Sequence, residues 1–320
     1  QWAAENHLRA GHTVYATPDA ARSFNDDLDV IEEMGITVVG DDEVNGLSAD
    51  VEQLELRDVD IPALARAFTQ FGVSLDDLDA ASLAVFDHGA APPDYSDRQY
   101  RFDYIRERVE ADPRLSTFAF RAEDVPARLT RLRAVLASAS EIDAPLMGMD
   151  TAPAAVLGAM LDPAAQSKER VLVANVGNLH TLAFRLNRGR IEGTFEHHTG
   201  MLDRPKLDGL LVELADGTLQ HESIFDDHGH GAYIAPSDPL PLSQTGDGHS
   251  DGPAVIVTGP RRTMLADSTL HPYFATPFGD MMLAGCFGQL AAMVDVLPEF
   301  GDEIRASLAG DGGRPPWELM

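Results

Sequence analysis

Apolar and polar positions along this chain switch between a helical and a strand period. Ile61, Leu64, Ala65 and Phe68 share one face and predict a helix over 61–71. Phe102, Ile105 and Val109 predict another, which starts at Ser96 or Asp97 and leaves at Pro113. Val125, Leu129, Leu132 and Leu136 predict a third, capped by Asp124. Shorter helices are expected over 2–10, 19–34 and 205–214, and a long final one over 280–297. Short apolar runs predict strands at 13–16, 36–39, 83–86, 116–120, 146–149, 171–174, 181–186, 191–195 and 254–257. Residues 51–59 alternate like an edge strand. Strands and helices interleave throughout, so the chain reads as α/β. Between 146 and 190 the order is strand, helix, turn, strand, glycine turn, strand. That helix is capped by Asp150 or Thr151, with Pro153 in its first turn. Its face is small: Ala154, Ala155, Gly158 and Ala159 invite close approach by another backbone. Polar turns are expected at 175–178 and 196–200, a long irregular loop at 226–252 and a loose tail at 311–320.

The 320 residues are 44% hydrophobic, enough for a large core and two lobes. The boundary falls near 162–168, giving lobes of 1–165 and 166–320. No apolar run is long enough to span a bilayer. The net charge is −28, with Lys168 and Lys206 the only lysines. Such a surface repels nucleic-acid phosphates and anionic membranes. It suggests a halophilic cytoplasm, where salt screens self-repulsion. Cys286 is the only cysteine, so this chain forms no internal disulfide, and a reducing cytoplasm suits it. One cysteine cannot hold an iron–sulfur cluster either.

Several strand ends carry reactive side chains. Asp87-His88-Gly89 follows an apolar strand, where ligands commonly bind in open α/β sheets. Asp87 and His88 read either as cleft-rim residues or as a loop carboxylate and a histidine that caps the following helix. Gly177 in the Asn175–Asn178 turn lacks a Cβ, so backbone N–H groups there can face an anion. Arg261 and Arg262 offer donors suited to phosphate or carboxylate. Asp280, opening the last helix, marks a further anion-facing helix start. Histidines suggest a rival site. Asp226, Asp227, His228 and His230 crowd one loop, and Glu196, His197 and His198 another. Such ligands suit a divalent transition metal. If His228 and His230 are ligands, they must converge with Asp227 or Glu196. If they line a nucleotide cleft, they point towards Asn175 and Gly177.

The Pro153-Ala154-Ala155 helix start and the Asn175-Val176-Gly177-Asn178 turn resemble a block of the actin, Hsp70 and sugar-kinase superfamily. More of the chain resembles a smaller family, DUF1786, some members of which carry the label "pyruvate formate-lyase activating enzyme". That resemblance rests on Asp87–Pro93, Asn175–Thr181, Phe195–Gly200, His228–Gly231, Thr258–Arg262 and Pro277–Met282. It implies a two-lobed actin-like ATPase (ribonuclease H-like) fold that binds Mg-ATP or another phosphorylated ligand between its lobes. A first phosphate hairpin of the family pattern is missing here, so a segment is expected to precede Gln1. By the same resemblance Asn175, Gly177, Asn178, His180 and Thr181 would hold phosphate, while Gly259, Arg261 and Arg262 would meet the nucleoside side. Two departures stand out. Asn175 replaces the usual aspartate and cannot act as a base, and Pro260 replaces a second glycine. Asp87, His88 and Asp150 are then the candidate catalytic groups. The turns at Asp87, Asn175 and Gly259 are expected to open onto one cleft. The function expected is an ATPase or phosphotransferase. A metal-dependent enzyme on the histidine loops and a non-catalytic ligand binder are the alternatives.

Overall fold

The computed structural model describes residues 2–25, 27–242 and 254–309. It is mixed α/β with three sheets. The smallest pairs β1 (Val14–Ala16) with β2 (Ile36–Val38) in parallel. A second sheet has β5 (Leu146–Met149) at its centre. On one side β3 (Ala81–Ala84) runs parallel to it, and on the other β4 (Ala119–Arg121) runs antiparallel. The largest sheet joins β6 (Arg170–Val176), β7 (His180–Asn187), β8 (Arg190–His198), β9 (Gly231–Ile234), β10 (Val255–Thr258) and β11 (Tyr273–Phe274). Its order is β11-β10-β6-β7-β8-β9. β6 to β9 form an antiparallel meander, while β10 and β11 run parallel to β6.

β6 shows why this sheet is covered on both faces. Strand side chains alternate in direction. Val171 and Val173 enter one core with Phe102, Ile105, Val156, Leu182 and Phe184. Leu172, Ala174 and Val176 enter another with Leu207, Leu211 and Leu214. Burying a side chain such as Phe184 is worth about 1.5–3 kcal/mol. The first of these cores also takes Phe120 of the three-stranded sheet, with Leu132 and Leu136 packed on that sheet at Gly148. It therefore fills the space between the two larger sheets.

The small-faced helix Thr151–Ala159 meets the C-terminal helix Ala284–Val296 almost backbone to backbone. A Cβ on Gly158 would lie 1.7 Å from the Ala284 carbonyl oxygen, and one on Gly288 would lie 1.8 Å from that of Ala154. The second helix also covers the three-stranded sheet, with Ala292, Met293 and Leu297 against Met147 and Met149.

Several elements differ from expectation. Glu196-His197-His198 is no turn: β8 runs to His198, with Glu196 and His197 buried. Residues 51–59 pair with no described strand and are mostly exposed. The Asp124-capped helix starts only at Thr130, since residues 122–124 form a 3-10 turn and Pro126 follows. Residues 115–118 are likewise a 3-10 turn ahead of β4. The stretch 19–34 breaks into helices Pro18–Arg22 and Leu28–Glu33. The final helix begins at Ala284, because Phe278 and Gly279 are left-handed (φ 52° and 79°). Asp280 thus precedes that helix and accepts from the Met282 N–H. The expected loop at 226–252 contains β9; its residues 243–252 and the tail 311–320 lie outside the described residues.

Candidate metal centre

Four loop or strand ends from the two larger sheets meet in one place. After β3, Asp87 accepts from the N–H groups of Gly89 and Leu132, both at 2.8 Å. These bonds fix the loop that presents Phe86 and His88. At the β6–β7 turn the Gly177 N–H donates to the His180 carbonyl at 3.0 Å. A Cβ there would sit 2.5 Å from that oxygen, so the turn requires glycine. The turn delivers His180 as the first residue of β7. Across the ladder His180 faces His198, and Leu182 faces Glu196. Directly paired residues share a face, so His180, Glu196 and His198 emerge together. Finally, the His230 N–H donates to the Glu196 carbonyl at 2.9 Å and carries its ring in beside them.

The result is a three-histidine cluster. One ring nitrogen from each of His88, His180 and His230 lies within 4.8 Å of the others. Phe86 stacks on His180 at 4.2 Å with 9° between the planes and holds that ring. His198 lies alongside, its ring 5.0 Å from His180 and 4.8 Å from His230. His230 is wholly buried, and neither of its ring nitrogens has a hydrogen-bond partner; His180 Nε2 also lacks one. Burial pushes His230 down to about 2 and His180 to about 3. It lowers His88 as well, against the pull of Glu196. The three rings are therefore neutral at pH 7, the form in which imidazole binds metal.

Beneath the cluster lies Arg101, 1% exposed. Its Nη1 is 2.5 Å from Asp150 Oδ2 and donates to the Asp87 carbonyl at 2.9 Å, while Nε donates to Glu196 Oε2 at 3.1 Å. The guanidinium lies over the Phe86 ring at 4.7 Å. Burial opposes its charge, but Asp150 and Glu196 prevail and raise its pKa. Burial pushes the Asp150 carboxyl up, and Arg101 opposes that.

The family model described as "Putative pyruvate format-lyase activating enzyme (DUF1786)" matches residues 1–264. The chain belongs to the DUF1786 family. No curated protein and no solved structure matches it.

The other predicted site residues of this DUF1786 chain are spread around the cluster. His228 is left-handed (φ 65°) and exposed; its carbonyl accepts from His198 Nδ1 at 2.7 Å. Asp227 pairs with Lys206, which lowers its pKa, and with His197 Nε2 at 3.3 Å. The structure thus groups His230 with His88 and His180, and leaves His228 and Asp227 outside. Asp150 caps its helix through the Ala152 N–H besides meeting Arg101. The Thr181 hydroxyl is buried against that of Thr199 at 2.9 Å. Gly259 is left-handed (φ 97°), and a Cβ there would lie 2.6 Å from the Val176 carbonyl and 2.7 Å from Asn175 Oδ1. Its close approach is to β6 itself. The Arg261 N–H donates to that Val176 carbonyl, and Arg262 Nη1 reaches the Gly259 carbonyl at 3.3 Å. Asn178 is exposed at the turn. Gly229 and Gly231 likewise pack on His197, Ile224, His221 and Phe102.

Proposed function

We propose that this chain is a metal-dependent enzyme whose ion is held by His88, His180 and His230. The observation that carries this reading is His230. An imidazole with no exposed surface and two unpartnered nitrogens leaves polar groups unsatisfied, which is costly unless something binds them. Neutral imidazoles suit Zn²⁺, Fe²⁺, Ni²⁺ and Cu²⁺. Three protein ligands with a position left over are the pattern of catalytic sites. Such an ion supplies a Lewis acid to a substrate oxygen. The chain's own residues set it up: Asp87 fixes the His88 loop, Phe86 orients His180, and the β8–β9 ladder seats His230.

The test is elemental analysis after dialysis against divalent ions. About one equivalent per chain is expected in the parent and in His228→Ala, with loss in His230→Ala and His180→Ala. Uptake of no ion by the parent, or equal uptake by His230→Ala, would defeat the reading.

A second reading has its own support. β8-β7-β6-β10-β11 are three antiparallel strands followed by two parallel ones. A ribonuclease H-like half would have this arrangement, which speaks for the two-lobed actin-like scaffold with Mg-nucleotide near Asn175, Gly177 and Asn178. Against it, Thr181 and Gly259 are already engaged within the protein. A rise in melting temperature with Mg-ATP that survives His230→Ala would favour this second reading; no rise at high salt would remove it. The residues of this chain do not fit the iron–sulfur cluster of a radical activator, because Cys286 is its one thiol and lies exposed.

A further inference from the structure

We propose that Glu196 is the anionic ligand of the histidine site, which makes the ligand set three imidazoles and one carboxylate. The proposal rests on the metal reading above and adds a residue to it. Glu196 is fully buried, and Arg101 Nε engages only its Oε2. Oε1 is buried with no hydrogen-bond partner. An orphaned oxygen on a buried carboxylate is more costly than one on a neutral group.

The Glu196 oxygens lie outside the set of ring nitrogens within 4.8 Å of one another, so ligation would turn Oε1 towards the rings; the sheet places the side chain on their face. Glu196 and His198 lie two residues apart on β8, and His180 faces His198 from β7. The pleat therefore sends Glu196 to the same face as His180. On β9 its ladder partner is Gly231, next to His230. Arg101 pairs with Asp150 as well as with Glu196, so it is shared between two carboxyl groups. A carboxylate is a hard oxygen donor, so it shifts the preference of the set towards Mn²⁺ and Fe²⁺.

Mn²⁺ is the probe, with free ion followed by electron paramagnetic resonance. Glu196→Gln keeps the shape and an acceptor for Arg101 but removes the charge. Glu196→Asp keeps the charge and withdraws it by one methylene. Both should bind Mn²⁺ roughly 100-fold more weakly than the parent, with unchanged circular dichroism. Parent-like affinity in either folded variant overturns the proposal. A difference infrared spectrum of Mn²⁺-loaded against metal-free parent needs no variant. It should show a shifted carboxylate stretch. An ion-loaded parent without that shift overturns the Glu196 assignment alone. A parent that takes up no divalent ion overturns this assignment and the metal reading together.

Discussion

His230 and His180 make the metal-free protein sensitive to acid. Their pKa values, about 2 and about 3, lie below the 6.5 of a free ring. Between those values and 6.5 the unfolded chain takes up protons that the folded chain refuses. Their contribution is therefore complete above about pH 6.5 and shrinks as the pH falls. For the fully buried His230 the loss approaches about 1.4 kcal/mol per pH unit. The melting temperature of chelator-treated protein should fall between pH 7 and pH 4, and less steeply in His230→Leu. Parallel curves would mean that His230 is already protonated or solvated. Asp87 yields a different outcome. Both its oxygens accept backbone N–H groups, so Asp87→Ala should lose about 1–3 kcal/mol of stability and also weaken Zn²⁺ uptake through His88. Parent-like uptake in a folded variant would show that the cap does not set His88. At this scale the sequence singled out the histidines that cluster but placed them in separate groups. His88, His180 and His230 each stood out beside a turn, but their convergence depends on strand pairing, which local spacing does not encode. Arg101 escaped notice, although it precedes Ile105 and Val109 by four and eight residues. A charge on a helix's apolar stripe was the available signal.

The element that depends most on small residues is the helix pair Thr151–Ala159 and Ala284–Val296. Any side chain at Gly158 or Gly288 collides with a carbonyl of the partner helix. Gly288→Val should cost about 3 kcal/mol, the upper end of ordinary overpacking. A denaturant midpoint equal to the parent's would show that the helices can part without penalty. The closeness of this face was legible from Ala154, Ala155, Gly158 and Ala159; its partner was not named, because Gly285 and Gly288 read only as part of a long helix. Buried strands such as β6 were legible for a related reason: an unbroken apolar run needs cover on both faces. β8 was cut short because Glu196, His197 and His198 look like a polar turn. Glu196 is buried with Arg101 beside the histidine cluster, and His197 is buried on the opposite face near Asp227, an outcome that propensity cannot anticipate.

Across the whole molecule, a net charge of −28 repels itself in the compact state. Screening shortens that repulsion, from a reach of about 10 Å in 0.1 M salt to about 3 Å in 1 M. The melting temperature should therefore rise from 0.1 M to 1 M KCl; a flat or falling curve would remove the halophilic expectation. The histidine site reports on assembly. His88 follows a strand of the three-stranded sheet, whereas His180 opens β7 and His230 directly precedes β9 of the six-stranded one, so neither half of the chain can finish the site alone. It is complete only when both sheets exist and have docked. Under the metal reading, an ion seated there would clasp the seam, and its removal should loosen the seam before either sheet. Amide hydrogen exchange should register this as faster exchange at residues 86–90, 177–181 and 228–231 in the chelated protein, while β6 and β10 exchange as slowly as before. The seam would then be where this molecule first opens and, when the ion returns, where it last shuts.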